Sequence, residues 1–160
     1  MVAKQEHIFQ ALSHVMDPEI PTLSVIDLGM ITDVITSNDG VTVKLLPTFV
    51  ACPATSVIKS NIKETLEKAG IRNVEVLLED SIAWSSDRVT EHGRKLLTDF
   101  GLGAPVQIDG VLDNVQVEAA TCPHCGSANT TLKSFFGSTL CRSIHFCNDC
   151  HQGFERFKPL

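Results

Sequence analysis

The chain has 160 residues, 43% of them hydrophobic, and a net charge of −6, which allows one ordinary domain and a small appendix. It contains no run of about 18 apolar residues and no secretory leader pattern, so a membrane span is not expected and the cytoplasm is the expected compartment. Dividing the chain after Thr121 gives 9 basic against 17 acidic residues before that point and 4 against 2 after it, an acidic body that argues against nucleic acid as a partner.

From Ala3 to Val15, Ile8, Leu12 and Val15 recur at helical spacing, which predicts a first amphipathic helix ending near Met16. Asp17-Pro18-Glu19-Ile20-Pro21 cannot continue it, because each proline lacks a backbone donor and disfavours helix in the residue before it. Asp27-Leu28-Gly29 leads into a β-branched stretch from Met30 to Thr36. After the turn at Asn38-Asp39-Gly40, Val41, Val43 and Leu45 alternate with polar residues, so a hairpin is expected. Asp17, Glu19, Asp27 and Asp33 suit turn and cap positions better than a carboxylate metal site.

Pro53 reads as the first turn of a helix carrying Ala54, Ile58, Ile62, Leu66 and Ala69, and stopped by Gly70 in a left-handed cap. Cys52 then sits at a helix N-terminus, where N–H groups and the dipole favour a thiolate. It is therefore either a metal ligand or reactive thiol, or a small buried turn residue. Residues 73–79 alternate as a third strand. Ser85, Ser86 and Asp87 offer caps for a third helix bearing Val89, Leu96, Leu97 and Phe100, closed by Gly101. Residues 105–121 read as a linker, in which Val111, Val115 and Val117 are compatible with one more strand.

Cys122-Pro123-His124-Cys125 and Cys147-Asn148-Asp149-Cys150 are two Cys-x-x-Cys knuckles, and together they supply a tetrahedral all-sulfur site. So short a segment cannot bury enough apolar surface to hold itself together, so a metal crosslink is its expected stabiliser. Zinc is the expected ion. Iron would use the same ligands, and a disulfide framework is disfavoured in a reducing compartment. Four sulfurs complete the site, leaving His124 and His151 outside it. Phe135, Phe136, Phe146, Phe154 and Phe157 are expected to fill the core of this unit, and any that are exposed would form a docking surface. Cys141 lies outside both knuckles and is either a transient iron ligand or a packed core residue.

The expected architecture is α+β. A helix–hairpin–helix–strand–helix domain spans residues 1–104, a linker 105–121, and a mostly β zinc ribbon 122–160. No nucleophile triad, phosphate loop or dinucleotide fingerprint occurs. Asp17-Pro18-Glu19, Asp27-Leu28-Gly29 and Thr48-x-x-x-Cys52-Pro53 together resemble the iron-sulfur cluster assembly domain of cytosolic and bacterial maturation factors. With Gly101 to Pro105, Phe136-Gly137-Ser138-Thr139, Cys141 and the two knuckles added, the whole chain resembles the D-subunit family of phenylacetyl-CoA epoxidase. That resemblance implies an accessory, non-oxygenase component of a multicomponent ring-epoxidising monooxygenase, with the other subunits as partners. It implies Cys52 and Cys141 as handling ligands for transient iron or an iron-sulfur cluster, and the ribbon as docking module. One thiolate cannot hold a cluster alone, so a homodimer, a partner's ligand or Cys141 would have to complete it. The competing readings are a purely structural subunit and a nucleic-acid-binding ribbon protein.

Overall fold

Helix α1 (Gln5–Leu12) opens the computed structural model, which describes residues 5–49 and 51–160; Ala3 and Val50 lie outside the described residues. Ile8 and Leu12 bury one stripe of α1, as their spacing requires. The Asp17 carboxylate caps the turn that follows, accepting the Glu19 and Ile20 N–H groups at 2.8 and 2.9 Å. Asp27 is tied to the Ser24 hydroxyl at 2.7 Å, so both acids do turn-building work.

Strands β1 (Ile31–Thr36) and β2 (Val41–Leu45) form the expected hairpin, with a register shift between Ile31 and Asp33. Helix α2 (Ala54–Lys68) buries Ala54, Ile58, Ile62 and Leu66. It ends as its sequence demands: Gly70 takes a φ of 85°, and the N–H groups of Gly70 and Ile71 bond back to Glu67 and Leu66. Strand β3 (Val74–Leu78) then pairs parallel to β2, giving a sheet of order β1-β2-β3. The parallel partner is why α2 must intervene, since a tight turn cannot return a chain in the same direction. The Trp84 indole closes this unit by donating to the Leu28 carbonyl at 2.8 Å.

The chain divides into two compact units, Met1–Trp84 and Ser85–Leu160. That division falls well before the expected boundary at residue 104, because the hydrogen bonds of the segment after Trp84 run to the C-terminal part. Ser86 N–H donates to the Leu160 carbonyl at 2.9 Å, Arg94 donates to the Ser86 and Pro105 carbonyls, and the Asp87 carboxylate accepts the Ile108 N–H at 2.8 Å.

Helix α3 (Glu91–Asp99) is capped by Thr90, whose hydroxyl accepts the Gly93 N–H at 2.9 Å. Ser85 instead caps a single 3-10 turn, Ser86–Arg88, so Val89 is buried but lies outside the helix expected to carry it, and Phe100 is exposed. The expected linker holds a helix, α4 (Asn114–Glu118), and no extra strand at Val115 and Val117. A reciprocal box starts it: Asp113 accepts the Gln116 N–H and Gln116 accepts the Asp113 N–H, at 2.7 and 3.0 Å. Strands β4 (Thr130–Ser134), β5 (Arg142–Cys147) and β6 (Gly153–Phe157) complete the second unit as an antiparallel sheet of that order. No described helix is long and apolar enough to cross a membrane.

Candidate metal centre

The two knuckles occupy equivalent turns, one entering β4 and one joining β5 to β6. In each, the residue after the second cysteine is left-handed: Gly126 at a φ of 76° and His151 at 58°. The N–H of each of these residues donates to the carbonyl of the first cysteine, at 2.9 Å for Gly126 and 3.0 Å for His151. His151 thus fills the glycine position of the second knuckle. It faces Phe146, while His124 meets Phe154 edge-on, and neither belongs to the sulfur group.

The ligand atoms of Cys122, Cys125, Cys147 and Cys150 all lie within 4.8 Å of one another. Cys125 and Cys147 approach to 3.5 Å and Cys122 and Cys150 to 3.7 Å. A tetrahedral ion with metal–sulfur bonds of about 2.3 Å needs sulfur pairs about 3.8 Å apart. Donor set and spacing therefore suit a metal ion such as zinc. Backbone N–H groups converge on the sulfurs: those of Cys150 and then Asp149 lower the Cys147 thiol to about 7, whereas burial pushes Cys150 up to about 12. One sulfur is thus readily ionised, and the others give up their protons when a cation takes their place.

Supports around the cluster were not legible in the sequence. The Asp149 carboxylate accepts from Ser127 and from Asn129, the latter at 2.8 Å, and so links the second knuckle to the loop of the first; both bonds hold it below the usual carboxylate range. Behind Cys147, His145 is fully buried, stacks on Phe154 at 5.6 Å, and meets the Ser143 hydroxyl at 2.9 Å through Nε2. Burial, then the Arg156 charge, lowers its pKa to about 4. Arg156, also fully buried, donates to the Val117 and Gln116 carbonyls at 2.9 and 3.1 Å. The phenylalanines divide: Phe154 and Phe157 are core and Phe146 is partly covered, but Phe135 and Phe136 are 50% and 69% exposed.

The structure does not bring Cys52 or Cys141 into the sulfur group. Half-buried Cys52 belongs to the first unit, in the turn entering α2; its carbonyl accepts the Thr55 N–H at 3.1 Å, and Pro53 is the cap residue. The Thr55 hydroxyl oxygen beside it is buried with no partner among the described residues. Cys141 is buried in the second unit, its sulfur 3.0 Å from the Thr139 hydroxyl.

Comparison with known proteins adds two family matches. Residues 109–158 match the PaaD zinc beta ribbon domain and residues 5–78 the iron-sulfur cluster assembly protein family. Over 154 residues the chain is 36% identical to the putative 1,2-phenylacetyl-CoA epoxidase D-subunit of Escherichia coli (strain K12), covering 96% of this chain and 92% of that one. It is also 36% identical over 89 residues to an Fe-S protein maturation auxiliary factor of Porphyromonas gingivalis, covering 54% of this chain and 84% of that one. Among solved structures, a conserved hypothetical protein of Thermotoga maritima shares 30% identity at a TM-score of 0.52, covering 62% of this chain and 96% of that one. A DUF59 domain from Bacillus anthracis is similar in fold, with a TM-score of 0.54 at 24% identity, covering 58% of this chain and 90% of that one.

Proposed function

Because this chain belongs to the D-subunit family of phenylacetyl-CoA epoxidase, we propose that it is an accessory component that assembles or maintains an iron centre in a partner subunit of that enzyme system. The observation that carries this reading is the pairing, in one chain, of an iron-sulfur assembly-type domain with a second unit built around four sulfurs. Two jobs are divided between two units. Zinc at Cys122, Cys125, Cys147 and Cys150 supplies a crosslink, without redox chemistry, that fixes the shape of the docking module. Cys52 is the handling ligand for iron or a cluster, which is cargo and not a resident group. The partial exposure of Cys52, and a Thr55 hydroxyl without a partner among the described residues, suit a site that completes itself on a partner. Cys141, beneath the ribbon surface, is an auxiliary thiol for the same traffic.

The test is Cys52→Ser in cells that express the whole enzyme system. Zinc content and folding should be unchanged, while the iron content of the partner subunits falls severalfold, because a serine hydroxyl is a far poorer iron ligand than a thiolate. Full iron and full activity in that variant would remove the delivery role. The rival, a purely structural subunit, is supported by the exposed Phe135 and Phe136. It predicts lost turnover when the chain is left out of a reconstituted enzyme already loaded with iron.

A further inference from the structure

Strand β3 is an outer strand of its sheet. Val41 N–H bonds to the Asn73 carbonyl at 3.2 Å and Glu79 N–H to the Leu45 carbonyl at 2.8 Å. In a parallel ladder these bonds commit the backbone of residues 73, 75, 77 and 79 to β2. The N–H and C=O groups of Val74, Val76 and Leu78 therefore point away from the sheet, and no partner for them occurs among the described residues. The opposite edge is handled differently: β1 is bent by its register shift, presents Asp33, and has its Val34 carbonyl covered by the Gln5 amide at 3.3 Å. β3 has no bulge, proline or lysine to blunt it. Such an edge is a ready template for one more strand.

A groove of about 410 Å³ runs beside this edge, walled on its other side by α2 through Ser60, Lys59 and Lys63. Lys59 and Lys63 are both exposed, and the contact of Lys63 with Glu67, at 4.0 Å between two exposed groups, leaves its charge available. Val74 and Val76 are buried, so the alternation of the strand puts Glu75 and Leu77, the latter 42% exposed, on the opposite face. An incoming strand would thus meet the two lysines with one set of side chains, and Leu77 beside the acidic Glu75 with the other.

We propose that the free edge of β3 and the lysine face of α2 form a docking groove for an extended acidic segment of a partner protein, about five residues long and alternating acidic with apolar side chains, which joins the sheet as a fourth strand. Backbone hydrogen bonds supply affinity and the lysines choose the charge. This surface does not depend on the iron chemistry proposed above, and it is tested without metal traffic.

The experiment titrates the full chain into a fluorescent, capped seven-residue peptide alternating glutamate and valine. Saturable binding that weakens with salt is expected, falling about tenfold or more in the double variant Lys59→Glu and Lys63→Glu, whose changes lie on an exposed helix face. N-methylation of alternate peptide residues should abolish binding in one parity and spare it in the other, a readout that leaves the protein untouched. Absence of saturation, equal binding by both N-methylated peptides, or indifference to charge reversal overturns the proposal. So does sedimentation showing a dimer through β3 that the peptide does not compete away.

Discussion

His145 and Arg156 are an imidazole and a guanidinium enclosed together, and the cheaper way to bury both is to leave the imidazole neutral. The sign of the resulting pH dependence is fixed. An ordinary histidine titrates near 6.5, and this one is held at about 4, so below pH ~6.5 the unfolded chain takes up a proton that the folded chain refuses. The contribution is fully present above pH ~6.5 and is lost as pH falls towards 4, about 2 kcal/mol by pH 5 and about 3 kcal/mol by pH 4. Nitrogen NMR of the imidazole should show His145 still neutral at pH 5, and His145→Asn should flatten this part of the stability profile. A ring that titrates near 6.5 would contradict the geometry.

At the scale of elements, α4 is five residues long and cannot persist on local hydrogen bonds alone. Its last carbonyls depend on the Arg156 guanidinium, a cation at the end of the helix where the dipole is negative. Arg156→Leu should therefore destabilise the second unit by about 2–4 kcal/mol, since two charge-assisted bonds from a fully buried side chain go. Urea denaturation measures the loss, and the hydrogen exchange of Val117 and Ala119 should rise with it. The same contact explains what could be read in advance. β1, β2, α2 and β3 declare themselves through local periodicity and turn residues. α4 rests on an arginine about 40 residues away, and nothing around Val115 and Val117 announces that support. Likewise, Ser85, Ser86, Asp87 and Thr90 are all competent caps, and only packing decides that Thr90 starts α3. The four sulfurs were legible because their chemistry is local to each knuckle. Asp149, His145 and Arg156 were not, since each acts through the folded neighbourhood.

The whole molecule joins two compact units stabilised in different ways. The first has an apolar core of Ile8, Leu12, Leu23, Val43, Leu45, Ile62 and Leu66, and the second adds a sulfur cluster to a sheet face that buries arginine and histidine. Metal removal should therefore act on one unit. Strong chelation at pH 7 is expected to release about one zinc per chain and to broaden the resonances of residues 122–160, while those of the first unit stay dispersed. Before chelation, thiol counting on the folded chain should find Cys52 promptly and the buried Cys141 only slowly, and after chelation in denaturant six groups. Loss of dispersion throughout the chain would show instead that both units depend on the ion.

The sulfur quartet is not evenly shielded: Cys122 and Cys147 are buried, Cys150 is intermediate, and Cys125 stands exposed. The cage therefore has a door at one corner. An oxidant, an alkylating reagent or a competing chelator meets Cys125 first, and the order in which the remaining bonds give way is set by that asymmetry. The histidine in the second knuckle lies on the better-guarded turn, so damage would begin where the backbone is held by a glycine.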